Sequence, residues 1–103
     1  MIIVETTVFT RLIAQLMHDD QYRELQERLI ENPEIGDLIQ ASGGLRKIRW
    51  KLSGRGKRGG VRVIYYSAVS ADQIRMLYVY SKSDQKDLTK DQIKVLRQLV
   101  GRW

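Results

Sequence analysis

The segment LRKIRWKLSGRGKRGGVRVIYYSAV, residues 45–69, decides the fold of this chain. In its opening residues basic and apolar side chains alternate, so Lys47 and Arg49 share one face of a predicted strand and Ile48 and Trp50 share the other. Its closing part, VRVIYYSAV, has the β-branched and aromatic residues typical of a second strand. The glycine-rich, basic stretch between them is typical of a hairpin connection. The segment therefore predicts two antiparallel strands with a core face and a cationic face.

The chain before this hairpin predicts one strand and two helices. Residues 2–4 are a short β-branched run, as in a strand. Apolar residues then recur at helical spacing over residues 8–16 and again over residues 22–30. Pro33 ends the second helix, because the residue before a proline is disfavoured in helical conformation. Residues 34–44 are predicted to be a loop.

The chain after the hairpin predicts one more strand and a last helix. Residues 74–80 are strand-like, and Thr89 and Gln92 have the spacing of a capping box that opens the helix. The order β-α-α-β-β-β-α predicts a single α+β domain over residues 1–103. In this fold the helices pack on one face of a small, mostly antiparallel four-stranded sheet, and the other face is left to the cations.

Positive charge is concentrated in the middle of the chain. The formal net charge is +6, yet Leu38–Ala71 holds eight basic residues and no acidic one, so the rest of the chain is net negative. A local cationic field attracts polyanions, and nucleic acid, with one phosphate per nucleotide, is the polyanion it suits best.

Composition excludes several classes of site. The chain has no cysteine, which rules out disulfides, thiolate catalysis and cysteine zinc sites, and His18 is its one histidine. No apolar run approaches the roughly 20 residues that span a bilayer. Charged residues interrupt the apolar N-terminus too early for a signal peptide. We therefore expect a cytoplasmic protein that does not bind membranes.

Three segments together resemble the RelE/ParE superfamily of toxins from type II toxin–antitoxin systems, and in particular its RelE-like HigB branch. They are GGLRKIRW (Gly43–Trp50), GGVRVIYY (Gly59–Tyr66) and LYVYSK (Leu77–Lys82), the last followed by Asp87-Leu88-Thr89. The order of predicted elements agrees with this superfamily along essentially the whole chain. Each motif is short, but their joint order and spacing are fairly specific.

The resemblance implies a ribosome-dependent endoribonuclease, or mRNA interferase. Such toxins cut translated mRNA in the ribosomal A site by attack of the RNA 2′-hydroxyl, need no metal or other cofactor, and so inhibit translation and arrest growth. Their partners are mRNA, the ribosome with its rRNA, and a cognate antitoxin protein, in this branch often with a helix-turn-helix domain. Operator DNA is bound only through the toxin–antitoxin complex.

The resemblance also implies which residues carry the chemistry. Transphosphorylation needs a base, stabilisation of the developing charge on phosphorus, and an acid for the leaving oxygen. Arginine suits the charged phosphorane, and nearby cations favour a neutral lysine that can accept a proton. Where the RelE pattern has an arginine and a tyrosine this chain has Ser83 and Thr89, so the base and acid stay open. The family's basic positions match Lys47, Arg49, Arg62 and Lys82.

A further set of residues is predicted to bind RNA or the ribosome. The basic residues of the hairpin connection suit rim contacts to rRNA phosphates, and a tyrosine of the last strand could stack on a base. For Lys47, Arg49 and Lys51 on the first hairpin strand, the alternative to RNA binding is that they only form a solvent-exposed face of the strand. The set is Arg46, Lys51, Arg55, Lys57, Arg58, Tyr78 and Tyr80.

Two other functions remain open from sequence. A ParE-like toxin shares the superfamily fold but poisons DNA gyrase and cuts no RNA. A non-catalytic RNA- or ribosome-binding module would keep the same charge and tolerate single substitutions. The converging cations at Lys47, Arg49, Arg62 and Lys82 favour the nuclease, because chains of the ParE type lack them.

Overall fold

The computed structural model describes residues 1–52 and 60–103. These described residues form five strands and three α-helices, and a 3₁₀ turn at Val69–Ala71 links the fourth and fifth strands. The elements in chain order are β1 (Ile2–Glu5), α1 (Thr7–Leu16), α2 (Asp19–Glu31), β2 (Asp37–Leu38), β3 (Leu45–Trp50), β4 (Val61–Ala68), β5 (Gln73–Ser81) and α3 (Lys90–Arg102).

The strands form one sheet in the order β1-β5-β4-β3-β2. β1 runs parallel to β5, and every other pairing is antiparallel. The α+β class and the antiparallel pairing of β3 with β4 are confirmed, and the predicted order of elements holds except for one additional strand. Of the connection predicted at residues 53–60, all but Gly60 lies outside the described residues. The sheet has five strands and not four, because Asp37 and Leu38 pair with Lys47 and Arg46 at the edge. Two exposed residues carry no alternation, so the sequence pattern could not reveal this strand.

The prediction that all helices pack on one face of the sheet is wrong. On one face, α1 and α2 pack through Phe9 and Leu25 against a core that includes Val63 of β4. On the other face, Leu96 of α3 packs with Ile64 and with Leu45, Leu77 and Tyr80. The physical reason is that both sides of β4 carry apolar residues, Val61 and Val63 on one and Ile64 and Ala68 on the other, and burying both sets needs a helix on each face.

Local capping signals set the helix starts. The Thr6 hydroxyl accepts a hydrogen bond from the Phe9 N–H at 3.0 Å and opens α1. The predicted capping box of α3 is confirmed, since Thr89 accepts from the Gln92 N–H at 3.1 Å while the Gln92 side chain accepts from the Thr89 N–H at 3.0 Å. None of the described helices has the length and apolar character needed to cross a membrane.

Candidate phosphate-binding face of the sheet

Basic and aromatic side chains from three neighbouring strands share the α3 side of the sheet. Arg49 on β3 is the register partner of Arg62 on β4, and Arg62 is the register partner of Tyr80 on β5. The next row on the same side runs from Lys47 through Ile64 to Tyr78. We call Lys47, Arg49, Arg62, Tyr78 and Tyr80 the basic face. The predicted alternation of β3 is thus confirmed at Lys47 and Arg49.

Arg62 is the central and most buried cation of the basic face. Its side chain is 6% exposed, although arginine is among the residue types least often buried. On its own strand and side it lies beside Ile64, and one guanidinium N–H donates to the Val61 carbonyl at 3.4 Å. Arg49, directly opposite, is exposed. An anion near this pair is attracted by both guanidinium groups, and their planar forks suit a phosphate.

A carboxylate that the sequence analysis did not single out reaches the basic face. Asp87 Oδ1 lies 3.3 Å from Lys47 Nζ, and the same oxygen accepts the Leu88 N–H at 2.9 Å. That N–H bond, followed by Lys47 and Arg49, holds the pKa of Asp87 below its ordinary value. The sequence feature that could have drawn attention to Asp87 is its position two residues before Thr89, the first residue of the α3 capping box. Its partner Lys47 is distant along the chain, so the contact was not visible in the sequence.

The two tyrosines of the basic face form a ring pair at its β5 edge. The Tyr78 and Tyr80 ring centroids are 5.9 Å apart with the planes tilted by 33°. The Tyr80 hydroxyl is buried and has no hydrogen-bond partner within the described residues. Burial, with Asp87 adding to it, raises the pKa of Tyr80 to about 12. This hydroxyl therefore stays protonated near neutral pH and can donate a hydrogen bond but cannot serve as a base.

The other predicted site residues that the structure describes, Arg46, Lys51 and Lys82, are not among the residues of the basic face. Arg46 lies on the opposite side of β3, where its guanidinium donates to the Gly36 carbonyl at 2.7 Å and holds the loop before β2. Lys51 lies just past β3 beside Trp50 and His18. Lys82 is exposed in the turn after β5. Three predicted contact residues, Arg55, Lys57 and Arg58, lie outside the described residues.

The described part of the basic face can bind and polarise a phosphodiester through fixed positive charge. It offers two guanidinium groups, one ammonium group and two phenol hydroxyls. Across residues 1–52 and 60–103, no cluster of three or more His, Asp or Glu side chains is placed to hold a metal ion.

Comparisons with known proteins agree with this fold. A family model described as "RelE toxin of RelE / RelB toxin-antitoxin system" matches residues 1–103. The intact E. coli RelBE toxin–antitoxin complex contains a similar chain, with a TM-score of 0.62 and 14% identity, covering 78% of this chain and 94% of that one. A mutant of the E. coli toxin RelE in the free state is also similar, with a TM-score of 0.63 and 12% identity over 96% of this chain and 95% of that one.

Proposed function

Since this chain belongs to the RelE toxin family, we propose that it is a ribosome-dependent endoribonuclease that cuts translated mRNA in the ribosomal A site. The observation that carries this proposal is the register of the basic face, in which Arg49, Arg62 and Tyr80 stand side by side on β3, β4 and β5. A solvated strand face has no need for a buried arginine, whereas a phosphate site does. The RelE family and the geometry of the face support the same substrate class.

The proposed reaction is the one that the family resemblance implies, and the side chains of the basic face can supply part of what it needs. The 2′-oxygen attacks the adjacent phosphorus, the bond from phosphorus to the 5′-oxygen breaks, and the products are a 2′,3′-cyclic phosphate and a 5′-hydroxyl. Arg62 and Arg49 stabilise the extra negative charge on the phosphorane through paired N–H donors. A base takes the 2′-hydroxyl proton and an acid gives one to the leaving oxygen. Lys47 and Lys82 are among the predicted catalytic residues, and which groups act as the base and the acid stays open.

In this mechanism Tyr80 serves as a hydrogen-bond donor and not as the base. Because its pKa is raised to about 12, its phenol keeps its proton, so it can donate a hydrogen bond to a phosphate oxygen or to the leaving oxygen but does not act as the base. The Lys47–Asp87 ion pair competes with a phosphate for the Lys47 ammonium group.

Primer extension on a defined mRNA tests the proposal. Purified protein is incubated with the message in the presence and absence of translating ribosomes. Cuts that appear only with ribosomes, at in-frame positions, are the expected result. Cuts on naked RNA would instead make this a free ribonuclease. No cuts in either sample would favour the gyrase-poison or binding-module alternatives, and a gyrase supercoiling assay separates those two.

The same family membership supports a protein partner. We propose a cognate antitoxin, encoded beside this gene, that silences the toxin in the cytoplasm and carries a helix-turn-helix domain for operator DNA. Co-expression and purification through a tag on the neighbouring protein should recover this chain in a stable complex. Operator binding should require the antitoxin, and this chain alone should show no operator specificity.

A further inference from the structure

An exposed apolar strip runs along one flank of α3. Val95 is 61% exposed and Leu99 is 38% exposed, and both line a groove between α3, β5 and the start of α1. Val8 of α1, which is 42% exposed, lines the same groove, and its volume is about 370 Å³. Contiguous apolar surface that stays open to water is a typical binding site for another molecule.

Two opposite charges bracket the apolar strip. Asp91 lies four residues before Val95, and Arg102 lies three residues after Leu99, all within α3. At 3.6 residues per turn these four positions share one flank of the helix. Neither Asp91 nor Arg102 forms an ion pair with another residue in the described part of the chain. The flank therefore has a negative end, an apolar middle and a positive end.

This order of side chains is complementary to its own reverse. When a second α3 lies antiparallel beside the first, Asp91 of each copy faces Arg102 of the other, and Val95 faces Leu99. One alignment satisfies both pairings to within a single residue, about 1.5 Å along the helix. A two-fold dimer uses the same patch on both copies, so a self-complementary patch is what such a dimer requires.

The opposite flank of α3 does not have this property. It carries Lys90, Lys94 and Arg97, which are all exposed and would face like charges in a symmetric pair. The chain has a net charge of +6, so two copies repel each other unless the surfaces that meet are apolar or mixed in sign. Of the two flanks, only the one with Val95 and Leu99 meets this condition.

We propose that this chain forms a symmetric homodimer in which the apolar flanks of two α3 helices pack antiparallel. Val95 and Leu99 of each copy pack against the groove of the other copy, and two ion pairs between Asp91 and Arg102 fix the direction of the helices. The inference is independent of the proposed function, because it uses neither RNA nor the cations of the basic face.

The dimer should be weak, because one helix flank and a short groove make a small interface. Interfaces that bury less than about 1,200 Å² in total belong to transient complexes, so we expect a dissociation constant of about 10–100 µM. Dilute protein is then monomeric. Sedimentation equilibrium of the full-length chain, from about 5 to 500 µM, covers the expected transition.

Charge reversal at the two ends of the strip tests both the interface and its direction. The variants are Asp91→Arg, which has two positive ends, and Arg102→Asp, which has two negative ends. Either variant alone places like charges at both contacts, so its self-association should be at least about tenfold weaker than that of wild type. An equimolar mixture places arginine against aspartate at both contacts, so a mixed dimer should form about as tightly as the wild-type dimer.

Matched controls come from α2. Asp19→Arg and Arg23→Asp make the same two changes of charge on the exposed side of that helix and should dimerise like wild type. Thermal unfolding of every variant confirms that it is folded before mixing. Restoration by mixing also guards against a folding artefact, because an unfolded variant could not complete the dimer.

Three results would overturn the proposal. They are a wild-type protein that stays monomeric to about 500 µM, self-association that persists in both reversal variants, and a mixture that stays as monomeric as its components. Protection of the Val95 and Leu99 amides from hydrogen exchange only in the presence of an antitoxin, with a monomeric free chain, would assign the groove to that partner and would also overturn the homodimer.

Discussion

Lys47 on β3 and Asp87 in the turn before α3 form an ion pair on the basic face, with Nζ 3.3 Å from Oδ1. The Asp87 side chain is well exposed whereas the Lys47 side chain is mostly buried, so the carboxylate lies on the solvent side of the ammonium group. It also lowers the effective positive charge next to Arg49. Under the proposed function, a phosphate that binds Lys47 competes with this carboxylate, so we predict that the pair controls RNA affinity.

Replacing Asp87 with asparagine should strengthen RNA binding. The variant frees Lys47, while the asparagine oxygen can still accept the Leu88 N–H and keep the turn. An exposed ion pair is worth about 1 kcal/mol or less, so we expect a gain of about threefold at low salt. One more phosphate contact should steepen the salt dependence of single-strand affinity by about 0.7 in log–log slope. Fluorescence anisotropy with a short RNA at several salt concentrations measures both.

Asp91→Asn is the control for that experiment. Asp91 lies in the first turn of α3, and its substitution changes the net charge equally without touching Lys47. If both variants raise affinity and slope by the same amount, the effect is one of general charge and the ion pair has no specific role.

Arg62→Ala should abolish cleavage while ribosome affinity stays within a few-fold of wild type. The guanidinium is central to the basic face, and loss of one donor to a developing charge costs about 100-fold or more in rate. Arg62→Lys retains the charge without the planar fork and should also lose most activity, which guards against a folding artefact in the buried alanine variant. Arg11→Ala, on the exposed side of α1, is the control.

The readouts for Arg62 are primer extension and ribosome co-sedimentation on the same preparations, with thermal unfolding to confirm that each variant is folded. Parallel losses of cleavage and ribosome binding would make Arg62 a docking residue. Full activity in Arg62→Lys would show that charge alone suffices at this position.

Tyr80→Phe should separate stability from function. The hydroxyl is buried without a hydrogen-bond partner in the described part of the chain, so its removal should leave stability unchanged or raise it by about 1 kcal/mol. Cleavage should fall if the phenol donates to the phosphodiester. Urea unfolding and primer extension measure the two effects, and a variant with wild-type cleavage would remove Tyr80 from the mechanism.

The pH dependence of stability provides a second test at Tyr80. Burial raises its pKa in the folded protein from an ordinary value of 10.0 to about 12, so the folded state keeps a proton that the unfolded state releases. Stability should therefore fall as pH rises from 10 to 12, and Tyr80→Phe should lose less over that window. The comparison is between the two proteins, because Tyr22 and Tyr65, whose pKa values are also raised, are present in both. If wild type and Tyr80→Phe lose the same free energy of unfolding between pH 10 and 12, the raised pKa of Tyr80 is contradicted.

Tyr65→Phe should weaken the fold without affecting the basic face. The Tyr65 hydroxyl accepts the Gly36 N–H at 2.8 Å and donates to the Pro33 carbonyl at 2.8 Å. Its loss leaves a buried backbone donor unsatisfied, at a cost of about 1–2 kcal/mol in the free energy of unfolding. Tyr66→Phe, half-buried on the other side of β4, is the control and should unfold in urea like wild type. RNA affinity of Tyr65→Phe should be unchanged, since Tyr65 faces the α1 and α2 core.

Two glycine substitutions should act in opposite directions on stability. Gly60, at the start of β4, has a φ of +66°, and an added Cβ would lie 2.2 Å from the Trp50 carbonyl oxygen. Gly60→Ala should therefore cost about 2 kcal/mol or more and disturb the pairing of Arg49 with Arg62. Gly101 lies in α3 with no atom within 4 Å of an added Cβ, so Gly101→Ala should gain about 0.5–1 kcal/mol. Urea unfolding measures both, and a stable, active Gly60→Ala would refute the steric argument.

Local patterns accounted for the elements that the sequence analysis predicted well. The period of two in β3 assigns Lys47 and Arg49 to one side of the strand from the sequence alone, because alternation in a strand is a property of the backbone. The capping box at Thr89 and Gln92 is equally local, since its bonds span three residues. The two-residue strand β2 has no such signal, because it exists only through its pairing with β3.

The sequence by itself determined the strand and helix periods, the concentration of cations in Leu38–Ala71 and the motifs shared with a toxin family. Only the tertiary structure decided that α3 packs on the apolar part of the cationic side of the sheet, that Arg49, Arg62 and Tyr80 align in register, and that Asp87 reaches Lys47. The physical reason is the sequence separation over which each interaction acts. Backbone periodicity and caps depend on neighbours along the chain, whereas register, helix placement and ion pairs depend on how distant apolar surfaces bury one another.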